Sequence, residues 1–256
     1  MKKGVVEEGL IVGRNPVREA LERGDGRVEK VMIRQGLAGR GIRQIRRLAK
    51  AEGVPVQQVP AARLARLAPG VAHQGVAAVT LPVAYREVEE MLHEIAADTD
   101  VVREKKPIVL LLDRIEDPHN FGAILRSAVG AGVAGVIVPR HRRAPLNAAA
   151  VKASAGAALR IPLARAGNLA GVIEQLKERG YWVAGATGTG ETSVWEMDWD
   201  RPLALVIGNE KRGLRPQIEK ACDYRVAIPM RGPTESLNAS VAAGILLFAA
   251  ARTRRP

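Results

Sequence analysis

Three stretches of the chain gather glycine, amide, hydroxyl and charged residues at points where an apolar strand should give way to a helix. The first runs Asp113-Arg114-Ile115-Glu116-Asp117-Pro118-His119-Asn120-Phe121-Gly122-Ala123-Ile124-Leu125-Arg126 after the apolar run 108–112. Asn120 reads there as a helix cap, and Arg126 lies nearly two turns on, where a guanidinium can grip a phosphate through paired hydrogen bonds. The second, Gly208-Asn209-Glu210-Lys211-Arg212-Gly213-Leu214, places Glu210 in a short turn. In the third, Thr234, Glu235, Ser236, Asn238 and Ser240 crowd the start of a long apolar helix that holds Val241, Ile245, Leu246, Leu247 and Phe248. A helix start with free N–H groups and the positive end of the helix dipole attracts a carboxylate or phosphate, but on this stretch alone ordinary capping is the better explanation of the residues. A fourth loop, Gly185-Ala186-Thr187-Gly188-Thr189-Gly190, lets a ligand approach the backbone. It fails as a dinucleotide fingerprint, because it comes late and runs into Glu191-Thr192-Ser193 instead of a long apolar helix.

These loops need a scaffold that aims them at one point, and the periodicity supplies it. Residues 108–112 form a continuous apolar run, as expected of a strand buried on both faces. Beyond it, predicted helices over 120–131, 146–153, 168–180 and 214–222 alternate with strands over 135–139, 160–163, 181–184, 203–207 and 224–228. Such alternation implies a parallel α/β sheet. Ligands of such sheets bind beyond the C-terminal strand ends, so the loops after Leu112, Ala184, Ile207 and Ile228 converge.

The first half predicts a smaller unit of helices and strands in alternation. A helix starts at Asn15, with Asn15 as cap and Pro16 at its first position, and others span 41–53 and 61–67; strands span 28–33, 54–59 and 76–80. A helix over 86–97 and the charged segment 98–106 read as the join. The division is therefore 1–82, a linker 83–106, and 107–256.

Composition narrows the class of partner. The 256 residues carry a formal net charge of +12 with both signs mixed along the chain, and 47% are hydrophobic, which describes a folded basic protein with a polyanionic partner, nucleic acid first. Arg40, Arg43, Arg46 and Arg47, then Arg140, Arg142 and Arg143, then Arg252, Arg254 and Arg255 form basic clusters suited to a phosphate track. Aromatic residues make up only 3%, too few for a broad base-stacking platform. One cysteine, Cys222, excludes an internal disulfide framework and a cysteine-rich zinc site, and four scattered histidines add no metal signal. Cys222 and His73 both read as structural. No signal peptide or membrane span is apparent, which implies a cytoplasmic protein.

In order and place, DPHNFGAILR, IGNEKRGL and IPMRGPTESLNASVA closely resemble the three motifs of the SpoU (TrmH-like) branch of the SPOUT RNA methyltransferases. GLIVGRNPVREAL and AHQGVAAV are similar to the small N-terminal substrate-binding domain, itself like ribosomal protein L30e, of the subgroup that methylates a guanosine of 23S ribosomal RNA, the RlmB type. The resemblance implies a C-terminal SPOUT α/β trefoil-knot domain behind an L30e-like α/β domain. It implies S-adenosylmethionine as cofactor, a ribose 2′-hydroxyl as acceptor, and a homodimer with the site completed across the interface. Matched to the motifs, Asn120, Arg126, Glu210, Ser236 and Asn238 take the catalytic positions. Thr187, Gly188, Ile207, Gly208, Ile228 and Leu237 take the cofactor positions. Another ribosomal RNA site, as in thiostrepton-resistance enzymes, or transfer RNA stands as the alternative substrate, and a non-catalytic RNA-binding protein as the alternative class.

Overall fold

The computed structural model describes residues 9–23, 28–52, 54–80, 85–140, 143–144, 146, 148–234 and 236–254. The chain forms two compact units, one of residues 1–84 with 145–160, the other of 85–144 with 161–256.

The first unit holds β1 (Leu10–Val12), α1 (Arg14–Glu22), β2 (Val28–Arg34), α2 (Arg40–Ala51), β3 (Val56–Val59), α3 (Ala61–Leu67) and β4 (Val76–Thr80). Its sheet runs β1-β4-β2-β3, and only the β2–β3 pair is parallel. Successive side chains of β1 point to opposite faces: Ile11 joins Val17, Ile33, Ile42 and Ile45 in one core, while Leu10 and Val12 join Met32, Leu64 and Ala77 in the other. At three residues, β1 is too short to show an alternation, so the sequence reading begins with the helix and misses it. The cap of α1 also moves. Gly13, at φ 102°, takes the cap position without a side-chain bond, so Asn15 and Pro16 lie inside the first turn, where a missing N–H costs nothing.

In the second unit, α4 (Val88–Ile95) and α5 (Thr99–Lys105) precede β5 (Ile108–Leu112), α6 (Pro118–Gly130) and β6 (Gly135–Pro139). The chain then contributes α7 (Ala148–Ala153) to the first unit. It returns with β7 (Leu163–Ala166), α8 (Leu169–Glu178), β8 (Trp182–Ala186), β9 (Thr192–Ser193), β10 (Leu203–Ile207), α9 (Pro216–Ala221), β11 (Tyr224–Ala227) and α10 (Ala239–Ala251). The segment read as a linker is packed instead. Met91 and Leu92 of α4 and Val102 of α5 lie in the core of this unit, and Asp98 caps α5 by accepting from the Val101 N–H at 2.9 Å. Val102 is the one residue of α5 to be buried, which is why a charged stretch conceals a helix. The strand read at 160–163 lies at Leu163–Ala166, after a short 3-10 turn at Ala157–Leu159. The helix read at 214–222 is shorter, starting at Pro216.

The seven strands run β7-β6-β5-β10-β8-β11-β9, all parallel. Central β5 and β10 are buried at every residue, as their apolar runs require. Among the described residues no helix is long and apolar enough to cross a membrane.

One crossing sets the shape of the C-terminal edge. Ala186 of β8 and Thr192 of β9 both lie opposite Val226 of β11, on its two sides, so residues 187–191 must pass over β11 as a strap. The strap is stitched down by the Thr187 N–H to the Val226 carbonyl (3.0 Å) and the Val194 N–H to the Ala227 carbonyl (2.8 Å). A side-chain carbon on Gly190 would fall 2.6 Å from the Arg225 carbonyl oxygen and 2.7 Å from the Ala227 nitrogen. Backbone therefore lies on backbone, and β11 runs beneath a loop made earlier in the chain. Gly190→Ala should lower stability by about 1–3 kcal/mol, because neither backbone can move aside cheaply; a wild-type urea midpoint would show that the strap is loose.

Cys222 packs against the same sheet, its Sγ donating to the Ile218 carbonyl at 3.2 Å. Burial, reinforced by the Asp223 carboxylate, pushes its thiol pKa up to about 12. The thiol thus stays protonated in the folded protein. At about pH 8 an aromatic disulfide reagent should react far faster with the urea-unfolded chain than with the native one, and equal rates would contradict the burial.

Candidate active site

Parallel strands deliver their following loops to one edge of the sheet, and those after β8, β10 and β11 line a cleft there. Thr187, Gly188, Ile207, Gly208, Ile228 and Leu237 all line it. So do Glu210 and Ser236, and Ala239, Ala242 and Leu246 from the first turns of α10 close its apolar side.

The loop after β10 is built to hold one carboxylate at its tip. Gly208 lies so close to Gly213 that a side-chain carbon would come within 2.5 Å of the Gly213 carbonyl carbon. Asn209 and Gly213 exchange backbone hydrogen bonds of 3.1 and 2.8 Å. The Asn209 Oδ1 accepts from the Lys211 and Arg212 N–H groups, while its Nδ2 donates to the Arg114 carbonyl at 3.1 Å. The exit of the turn is pinned by Asp113, fully buried at the end of β5, which accepts from the Arg215 N–H at 2.9 Å and its Nε at 2.8 Å. Neither Asp113 nor Asn209 appears in the sequence-level site. Both carried a signal: the first polar residue after an all-apolar strand, and an Asn opening a glycine-closed turn.

Glu210 then meets two amides. Its Oε1 accepts from the Asn238 Nδ2 at 2.7 Å and from the Asn120 Nδ2, and the Asn120 Oδ1 accepts from the Asn238 Nδ2 at 3.0 Å. Amide orientation follows from the network. The Asn238 Oδ1 is committed to capping α10, accepting from the Ser240 N–H (2.9 Å) and Oγ (2.6 Å), so its NH₂ must face Glu210. Asn120, in contrast, caps nothing. Asp117 holds the start of α6 by accepting from the His119 N–H at 2.8 Å, which leaves the Asn120 side chain free for the network.

The structure thus brings Asn120, Glu210 and Asn238 into contact and Ser236 to the cleft wall, but it does not bring Arg126 there. Arg126 follows Asn120 by six residues, about 9 Å along the helix and about 120° away round its axis. Its side chain is exposed and makes no ion pair among the described residues.

The lining suits a cationic, adenosine-like ligand. Among the described residues Glu210 is its only charged side chain, with no Lys or Arg to oppose a sulfonium centre. The Thr187 Oγ1 is buried with no partner among the described residues, a vacant donor and acceptor inside the cleft. Small residues and glycines at 186, 188 and 208 leave backbone groups open to a base edge.

Comparison with known proteins agrees with this geometry. Residues 107–248 match the SpoU rRNA Methylase family, and residues 10–86 match the family described as RNA 2′-O ribose methyltransferase substrate binding. A putative TrmH family tRNA/rRNA methyltransferase of Staphylococcus haemolyticus is 41% identical over 249 residues, 97% of each chain. The crystal structure of the SpoU methyltransferase AviRb from Streptomyces viridochromogenes in complex with the cofactor AdoMet aligns at 26% identity and TM-score 0.77, covering 96% of this chain and 90% of that one. The A. aeolicus TrmH/SpoU tRNA modifying enzyme aligns at 28% identity and TM-score 0.54, over 64% of this chain and 84% of its own. With both units matched by family models and a relative 41% identical over nearly the whole chain, the chain belongs to the SpoU rRNA methylase family of S-adenosylmethionine-dependent RNA 2′-O-ribose methyltransferases.

Proposed function

We propose that the protein methylates the 2′-hydroxyl of a guanosine in 23S ribosomal RNA, acting in the cytoplasm as a homodimer. The observation that carries the ribosomal reading is the first unit. It matches a substrate-binding family for RNA 2′-O-ribose methyltransferases, whereas the tRNA-modifying neighbour spans only 64% of this chain. A net charge of +12 fits a large structured RNA.

S-adenosylmethionine supplies an electrophilic methyl group on a sulfonium centre, and the cleft around Thr187, Gly188, Ile207, Gly208, Ile228 and Leu237 is the place for it. The strap over β11 supports a trefoil-knotted path for the chain that forms this cleft. The Glu210, Asn120 and Asn238 cluster is rigid, tied to the cap of α10 at one end and to the Asn209 turn at the other. It orients the ribose and the loop around it. Ser236 on the cleft wall adds a hydroxyl to the same edge.

The acceptor alcohol must lose its proton as the new bond forms, and Arg126 is the residue assigned to that problem. A guanidinium stays protonated, so it serves as a fixed positive charge for the forming oxyanion and the neighbouring phosphate, with the phosphate as proton acceptor. Its position supports a dimer. Arg126 and Gly130 lie one turn apart on one face of α6, and a side-chain carbon on Gly130 would sit 3.3 Å from the Phe248 ring of α10. Phe248 and Val241 are 54% and 50% exposed, an apolar patch beside Arg126. Burial of that patch against a second chain would carry Arg126 toward the partner's cleft.

Two experiments test these roles. Arg126→Ala should slow single-turnover methylation by about 10²–10³-fold without weakening cofactor binding, and an unchanged rate would remove Arg126 from the mechanism. Mixing inactive Arg126→Ala with inactive Asn238→Ala chains should restore activity in the mixed dimers, since one of the two clefts regains a full set; no recovery would place Arg126 and Asn238 in one chain's site. For the substrate, labelled cofactor offered with ribosomal or transfer RNA should mark a guanosine 2′-oxygen of 23S ribosomal RNA. Label on transfer RNA or on a base would refute the assignment.

A further inference from the structure

An open groove in the first unit is lined by Arg14 and Asn15 at the start of α1, Arg34 at the end of β2, and His73 and Gln74 ahead of β4. The fold does not need most of these side chains. Gly13 does the work of starting α1, and the exposed Asn15 amide makes no hydrogen bond among the described residues. Arg14 and Arg34 are exposed and meet no carboxylate among the described residues.

Other bonds hold the groove in one form. Gln74 sits at φ 51°, the left-handed region that residues with a side chain avoid. It is kept there by Arg14, whose N–H donates to the Gln74 Oε1 at 3.3 Å and whose Nε donates to the Gln74 carbonyl at 3.4 Å. The His73 Nδ1 accepts from the Gly75 N–H at 3.0 Å, so the neutral ring carries its proton on Nε2. Gly75 itself sits at φ 77°, where any side chain would be strained. Lys152 approaches from the α7 side and donates to the Ala72 carbonyl at 2.8 Å.

The groove consequently offers donors. The Gln74 Oε1, the Gln74 carbonyl, the His73 Nδ1 and the Ala72 carbonyl are all occupied, which leaves the terminal N–H groups of Arg14, the Arg34 guanidinium, the His73 Nε2–H, the Gln74 NH₂ and the Asn15 amide without a partner among the described residues. A ligand for it is anionic and rich in acceptors. Guanine alone among the RNA bases presents two adjacent acceptors, N7 and O6, where adenine and cytosine put an amino group into the corresponding edge. An unpaired nucleotide also exposes its phosphate, and with no Phe, Tyr or Trp among the described residues that line the groove, the guanidinium planes and the His73 ring are the stacking surfaces.

We propose that this groove binds an unpaired guanosine nucleotide of the substrate RNA, its phosphate on Arg14 and Arg34 and its N7/O6 edge on His73 and Gln74. The inference rests on the RNA-methyltransferase reading for its ligand but names a second contact, separate from the cofactor cleft.

The test uses the whole protein, with fluorescence anisotropy of labelled single-stranded oligouridylates that carry one guanosine or one cytidine, and calorimetry with S-adenosylmethionine on the same samples. Wild type should favour the guanosine strand, and Arg34→Ala should weaken it by about tenfold. Gln74→Gly suits the backbone at φ 51° and removes the amide, so it should melt no lower than wild type yet lose the guanosine preference. Equal binding of both strands by wild type, or unchanged RNA binding by Arg34→Ala and Gln74→Gly, would overturn the groove. A wild type that prefers guanosine but binds no S-adenosylmethionine would support the groove and overturn the enzyme reading.

Discussion

The passage of residues 187–191 over β11, backbone against backbone at Gly190, is the constraint on which the cleft depends. Because β11 is held between β8 and β9, the loop that follows it at Ile228 lines one cleft with Thr187, Gly188 and Gly208. A pocket made from three loops usually gains precision from side-chain packing. Here the strap lies on β11, and the turn after β10 closes on itself, through main chain, where glycines at 190 and 208 permit approaches that any Cβ would block. The result is a cavity whose walls cannot drift independently.

That rigidity extends to the polar edge. Asn238 is at once the cap of α10 and a donor to Glu210, so the orientation of its amide is dictated by the helix and delivered to the site. Glu210 is presented by a turn locked at its entry by Asn209 and at its exit by the buried Asp113 with the half-buried Arg215. Charge is partitioned in the same spirit. The chain carries an excess of twelve positive charges, yet among the described residues the cleft has one charged side chain and it is negative. Basic residues serve a polyanion; a basic cleft would repel a sulfonium.

Periodicity alone made the larger sheet legible, because β5 and β10 are apolar throughout and the helices between strands keep their own period. The convergence of the loops after Ile207 and Ile228 followed from parallel geometry. What stayed hidden was non-local. Nothing in the local pattern marks β9, two residues long, or its place beyond β11, which creates the strap. The antiparallel β1 is equally short, and α5 is concealed because seven polar-rich residues bury only Val102. The likeness to a known family, carried by three motifs, located the cleft residues; it did not predict that Arg126 would stand apart from Asn120, a consequence of helical angle within one chain.

Two of the sequence-level errors share a cause that bears on function. Asn15 and Asn120 both stand near a helix start, and both invite the reading of a cap. In each case an earlier residue, Gly13 or Asp117, already satisfies the helix end. An amide displaced from its ordinary structural task either solvates idly or serves a ligand. Asn120 is tied instead into the Glu210 network beside the cleft. Asn15 stands in the same relation to the groove beside Arg14 and Arg34. Where sequence propensity and observed role part company without a packing reason, the mismatch points to selection for something other than folding, and in this chain it does so once in each unit.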